Sequence, residues 1–306
     1  MRKAFINTLI NLAETDPNIY LLTADMGYGL VEPFATRYPK QYINVGVAEQ
    51  NMIGIAAGLA LEGKKVFCYS IGNFPTMRCL EQIRNDVCYH NLPVCIVSGG
   101  AGLWYGSLGM THWAVEDIAV MRCLPNMTVV SPCDAKEASK AVDVIYQMEA
   151  PCYLRMSRTA SIISEPLNDY CFGEPTRLVN RTLPDVVLLA TGGQIVANAC
   201  LAAESLLIEG VAMSVLNVHT IKPFGWWSTL SDRVGRLVIV AEEHSRIGGL
   251  GSAVAEVLAG LRQHPPLVRL GTDDCYPDRA MSYEELLKAN HLDVDGIVKE
   301  VLDALR

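Results

Sequence analysis

Short apolar runs rich in strand-forming residues alternate with helical stretches along nearly the whole chain, and this alternation leaves few folds open. Strands are expected at 19–24 (IYLLTA), 65–70 (KVFCYS), 93–98 (PVCIVS), 127–132 (MTVVSP) and 151–156 (PCYLRM). Helical stretches at 47–62, 76–90 and 134–148 lie between them. Apolar strands separated by helices imply parallel sheets covered on both faces. Residues 159–184 break the rhythm with three prolines and no clear period. A second alternating unit follows, with strands at 185–191, 212–218, 236–243 and 266–271, helices near 194–209 and 249–262, and two short helices in 282–306. The expected fold class is α/β, with two doubly wound domains at 1–165 and 185–306 joined by a linker at 166–184.

The chain has 306 residues, half of them hydrophobic and 19% charged, which is ample for two well-filled cores. A net charge of −8 argues against a general affinity for nucleic acid or anionic membrane. The ten cysteines fall singly, without C-x-x-C or metal-ligand spacing, and most sit in apolar stretches. They read as small buried hydrophobes in a reducing, cytoplasmic environment. The N-terminal segment spaces Phe5, Ile6, Leu9, Ile10, Leu12 and Ala13 as an amphipathic helix rather than a signal peptide. No apolar run is long enough to span a bilayer, so a soluble protein is expected.

Three segments carry candidate chemistry. In INVGVAEQNMIGIAAGLALEG (43–63) a strand ends and a helix opens with Glu49 near its first turn. In KVFCYSIGNFPTMRCLEQIRND (65–86) a buried strand leads through a loop holding Phe74 into a helix. In GGAGLWYGSLGMTHWAVED (99–117) a glycine-rich stretch precedes Thr111–His112 and the Glu116–Asp117 pair. Taken singly, Glu49 reads as a first-turn carboxylate facing the helix dipole, Phe74 as core and His112 as loop surface.

Together these segments resemble transketolases and the related 1-deoxyxylulose-phosphate synthases, and the resemblance runs from Arg2 to the end of the chain. It implies thiamine diphosphate as cofactor. Glu49 stands where the family places the carboxyl that hydrogen-bonds the aminopyrimidine and thereby activates the thiazolium carbon, chemistry that no side chain does well alone. Such proton sharing calls for a carboxyl in an apolar pocket. Phe74 matches the ring on which the aminopyrimidine stacks, while Ile71 and Met77 stand where many members carry further aromatics. Asp25 and Met26 match residues beside the cofactor. His112 aligns with a histidine that contacts the reacting oxygen of the substrate, and Trp104 and Trp113 are candidates for shaping the channel. Arg2 and Arg158 align with sugar-phosphate ligands, a task suited to the bidentate guanidinium.

Departures concern the substrate side. Leu108 replaces an acidic residue that reads sugar hydroxyls, Gly100 a histidine and Gly29 a phosphate-binding serine. IKPF (221–224) and AEEHSRIGGLGSAVAEVLA (241–259) resemble the family's C-terminal domain, where His244 is expected to be structural. GGLGSA lacks the register of a dinucleotide loop.

No GDG followed some 25–30 residues later by asparagine occurs, the motif with which the superfamily holds Mg²⁺ and diphosphate. The resemblance therefore implies a partner, an N-terminal transketolase subunit holding the diphosphate and its Mg²⁺ or Ca²⁺, in an α2β2 heterotetramer. The implied activity is transfer of a two-carbon ketol unit from a ketose, phosphorylated by default, to an aldehyde. A β-type subunit of a 2-oxo-acid dehydrogenase or decarboxylase, an acyl-transfer variant and a non-catalytic scaffold are the competing readings.

Overall fold

The computed structural model describes residues 1–158, 165–225 and 235–306. The first sheet contains β1 (Ile19–Thr23), β2 (Tyr42–Asn44), β3 (Lys65–Ile71), β4 (Val94–Gly99), β5 (Thr128–Val130) and β6 (Cys152–Met156), with β10 (Thr220–Lys222) at its edge. Its order is β10-β5-β6-β4-β3-β1-β2. Because side chains alternate across a strand, Leu22, Cys68 and Ile96 enter one core while Leu21, Phe67 and Val97 enter the opposite one. The helices α1 (Arg2–Ala13), α2 (Glu32–Arg37) and α6 (Ala135–Gln147) lie on the second of these faces, and α3 (Glu49–Leu61) and α5 (Asp117–Arg122) on the first. Burial on both sides is why these strands read as unbroken apolar runs.

The second sheet has the order β12-β11-β8-β9-β7, from β7 (Thr176–Val179), β8 (Val186–Thr191), β9 (Met213–Asn217), β11 (Leu237–Ser245) and β12 (Leu267–Thr272). It carries α7 (Gly193–Ile208), α9 (Tyr283–Ala289) and α10 (Val294–Leu305) on one face and α8 (Leu250–Ala259) on the other. Ser282 and Glu285 form a capping box that fixes the start of α9.

Three expectations are corrected. Neither sheet is purely parallel, since β10 pairs antiparallel with β5 and β7 antiparallel with β9. Antiparallel edge strands on otherwise parallel sheets are common in such folds. The segment expected as linker, 166–184, contains β7, and β10 leaves the second unit to edge the first sheet. The start of the break in rhythm, 159–164, lies outside the described residues. Finally, the helix expected at 76–90 is a 3₁₀ turn (Met77–Cys79), a single α-turn α4 (Leu80–Gln82) and a π-helical stretch (Ile83–Cys88). Such local widening of the helix is frequent near functional sites.

A buried polar seam joins the two units. Arg155 on β6 donates to Asp117 Oδ2 at 2.7 Å and to the Glu243 carbonyl on β11 at 2.8 Å. The Tyr153 hydroxyl also donates to Asp117, at 2.5 Å. Glu137 on α6 accepts from Thr176 and Asn217 of the second sheet, each at 2.8 Å. His244 is buried, accepting from the Ala119 N–H at Nε2 and donating from Nδ1 to the Ser245 carbonyl. That pattern specifies one ring tautomer and a structural position for His244.

Candidate active site

The candidate residues of the first sheet hang from the carboxyl ends of its parallel strands, the edge at which open α/β sheets bind ligands. Asp25 and Met26 follow β1, Glu49 follows β2, Ile71 ends β3 with Phe74 just beyond, His112 follows β4 and Arg158 follows β6. The connectivity of a doubly wound sheet therefore places on one edge residues spread over more than half of the first unit.

Glu49 is the first residue of α3 and is 3% exposed. Its carboxylate Oε2 accepts from Arg78 Nη1 at 2.8 Å, and the Arg78 guanidinium stands 4.5 Å from the centre of the Phe74 ring. Phe74 in turn meets the His112 ring edge-on, with ring centres 5.4 Å apart. Asn73 Nδ2 donates to the Thr111 carbonyl at 2.6 Å, locking the Phe74 loop to the His112 loop. Thr111 Oγ1 and His112 Nδ1 lie 3.0 Å apart, which orients the imidazole.

Small residues make this approach possible. A Cβ on Gly72 would stand 2.5 Å from the Ala114 Cβ, so the loop after β3 seats against the glycine-rich loop only with glycine there. A bridge between Gly102 and Ala114 closes the neck of that loop and presents His112 beside it. Gly100 has φ +82°, and a Cβ there would fall 2.3 Å from the Tyr105 ring. The space beside Gly100 is thus filled by Tyr105.

Asp25 has the left-handed backbone that aspartate tolerates. Hydrogen bonds from the Tyr28 hydroxyl and from Asn44 hold its carboxyl below the usual range. Ile71 is buried, and Met26 and Met77 are half-buried. Leu108 is 54% exposed in a 3₁₀ turn.

The two arginines make their contacts elsewhere. Arg2 lies over the Trp104 ring at 5.0 Å. Arg158 pairs with Glu284 at 2.8 Å and covers Tyr283, both on α9. Sequence reasoning missed Arg78 and Asn73 as parts of this cluster. The signal for Arg78 was a single basic residue four positions after Phe74, inside an otherwise uncharged loop.

The family model for the transketolase pyrimidine-binding domain matches residues 1–161, and that for the transketolase C-terminal domain matches 177–297. The chain belongs to the transketolase family. A transketolase C-terminal section from Methanocaldococcus jannaschii is 38% identical over 310 residues, covering 100% of this chain and 96% of the relative. A 6-deoxy-6-sulfo-D-fructose transketolase subunit from Clostridium sp. is 39% identical over 279 residues, covering 90% of this chain and 85% of the relative. A solved split-gene transketolase, described as an inactive β4 tetramer, superposes with a TM-score of 0.86 at 36% identity and covers 99% of this chain and 97% of its own.

This chain is thus a transketolase-type transferase subunit, and family membership implies dependence on thiamine diphosphate. The residues present fit the pyrimidine end of that cofactor, with a buried carboxyl group linked through Arg78 to a half-buried aromatic ring. Among the described residues, no group of three His, Cys, Asp or Glu side chains is placed to hold a metal ion, and no helix is long and apolar enough to cross a membrane.

Proposed function

We propose that this chain is the subunit of a split transketolase that activates the aminopyrimidine of thiamine diphosphate, for transfer of a two-carbon ketol unit from a ketose to an aldehyde. The observation that carries the reading is the burial of Glu49 at the start of α3, linked through the Arg78 guanidinium to Phe74, whose ring meets His112. Bound thiamine diphosphate supplies the carbon nucleophile that protein side chains lack. Glu49 holds and shares a proton at the aminopyrimidine ring nitrogen, and its burial keeps water from competing for that bond. Phe74 offers a stacking face, and Ile71, Met26 and Met77 complete an aliphatic wall. Asp25 stays ionised at the rim. His112, oriented by Thr111, holds a proton at the reacting substrate oxygen.

The diphosphate and its Mg²⁺ or Ca²⁺ are assigned to an N-terminal partner subunit, in an α2β2 heterotetramer. Support comes from relatives of similar length that are named as sections or subunits, and from the solved split-gene relative described as an inactive β4 tetramer. These names favour neither a 2-oxo-acid dehydrogenase subunit nor a scaffold. On the sugar side, Arg2 and Arg158 are assigned to an anionic substituent, with Arg158 exchanging Glu284 for the substrate. Leu108 in place of an acidic residue supports a modified sugar, and one relative is named for a sulfonated ketose. The ten free cysteines fit a cytoplasmic setting.

The test is Glu49→Gln in the assembled complex. Turnover is expected to fall roughly 10²–10⁴-fold, the usual yield of a positioned acid–base group, with the circular dichroism spectrum unchanged. Unchanged turnover would overturn the mechanism.

A further inference from the structure

The carboxylate and the ring assigned to the aminopyrimidine are both already engaged by one other side chain. Arg78 Nη1 donates to Glu49 Oε2 at 2.8 Å while the same guanidinium covers Phe74 at 4.5 Å. Among the described residues no other hydrogen bond reaches that carboxylate. The Arg78 side chain is 46% exposed and that of Glu49 3%, so the arginine reaches in from solvent over a buried acid. The Arg78 carbonyl accepts from Gln50 Nε2 at 3.1 Å, which ties its backbone to α3 and leaves the side chain as the part free to move.

We propose that Arg78 gates the cofactor site: its guanidinium competes with the aminopyrimidine for Glu49 and Phe74 and swings out when the cofactor binds. The inference rests on the assignment of those two residues given above. A planar cation satisfies the same two needs as a stacked heterocycle, an aromatic face and a carboxylate within hydrogen-bond reach. Glu49 Oε2 and the ring face under the guanidinium cannot serve both at once. Opening gives up a charge-assisted bond and a cation–π contact, and returns the guanidinium to water, where it is well solvated. The apparent affinity for cofactor is then reduced by the fraction of molecules with the gate open. Contacts to the diphosphate, supplied by the partner subunit, provide the free energy that shifts this exchange. Binding thus becomes conditional on assembly.

The experiment titrates thiamine diphosphate with Mg²⁺ into the assembled complex and follows quenching of protein fluorescence, for the wild type, Arg78→Gln and Arg78→Lys. Glutamine keeps polarity but neither charge nor cation–π attraction, so Arg78→Gln is expected to bind roughly tenfold tighter and to associate faster. Lysine keeps the charge and loses the planar fork, so Arg78→Lys is expected to fall between them. Should Arg78→Gln lose its thermal unfolding transition, the lysine variant carries the same prediction at smaller size. Unchanged or weaker binding by folded variants, with normal binding by the wild type, would overturn the gate and leave the proposed function standing. No binding by the wild-type complex would overturn the proposed function and the gate with it.

Discussion

Replacing Asp117 with asparagine removes one charge from an ion pair in which neither side chain has any exposure to water. Arg155 then keeps its positive charge in the interior, hydrogen-bonded only to neutral oxygens, the new amide, the Ala114 carbonyl at 3.1 Å and the Glu243 carbonyl at 2.8 Å, with the buried Glu243 carboxyl as its remaining electrostatic partner. The Tyr153 hydroxyl loses its carboxylate acceptor in the same step. Breaking one side of a buried pair costs about 3–5 kcal/mol, because the remaining charge cannot be solvated. With an unfolding entropy of about 2.1 cal/mol/K per residue acting over the 306 residues, that corresponds to a Tm lowered by about 5–8 °C. The seam joins β6 to β11, so the loss is expected in the unfolding of both units. Thermal unfolding followed by circular dichroism reads it directly. The double variant Asp117→Leu with Arg155→Met removes both charges and is expected to recover at least half of the loss. A fall of less than about 1.5 °C for the single variant, or a double variant worse than the single, would refute the reasoning.

Three further outcomes are expected. Phe74→Ala in the assembled complex should weaken thiamine diphosphate binding about 2- to 10-fold, from the loss of about 0.5–1.5 kcal/mol of stacking, with the fold intact because the ring is only half-buried; unchanged affinity removes Phe74 from the site. Gly100→Ala should lower Tm more than Gly29→Ala does. Both have a positive φ, but only Gly100 has a ring at 2.3 Å from the added carbon, whereas Gly29 faces open space; equal losses would contradict the packing argument. His219 is buried, stacked on Tyr170 at 4.4 Å, and burial pushes its pKa below the ordinary 6.5 against the pull of Glu137. The folded state therefore takes up fewer protons than the unfolded one. Its contribution is complete above pH 6.5 and is lost as the pH falls towards the folded pKa. Tm measured between about pH 7.5 and 5 should decline less steeply in His219→Gln, and an unaltered slope would count against this account.

Much of the local structure around the candidate site was legible because its determinants are local. The segment AEQNM announces a helix start with a carboxylate, and Glu49 is found there, buried. IGNF announces a loop after a buried strand, and Phe74 follows β3. The glycine-rich stretch leads to His112, and the ring reaches Phe74. Arg78 was not legible in this way. It is 29 residues from Glu49, and nothing in its neighbours' periodicity points to that carboxylate. Nor does the sequence pattern show that Tyr105 fills the space beside Gly100, since that depends on how a loop folds back on itself.

Apolar alternation and helical spacing, properties of each segment by itself, were enough to specify two doubly wound units and the strand ends on which the chemistry sits. Tertiary structure alone decided the pairings between segments. β10 has three residues and β7 four, too few to show a period, and their edge positions follow from where the chain returns after other elements have packed. The Arg155–Asp117 pair joins residues whose charges look like surface charges in the sequence, yet both are fully buried where Arg155 meets the Glu243 carbonyl of the second unit. The grip of Arg78 on Glu49 arises in the same way. A buried carboxylate needs a partner, and which side chain supplies it depends on what the fold places within about 3 Å.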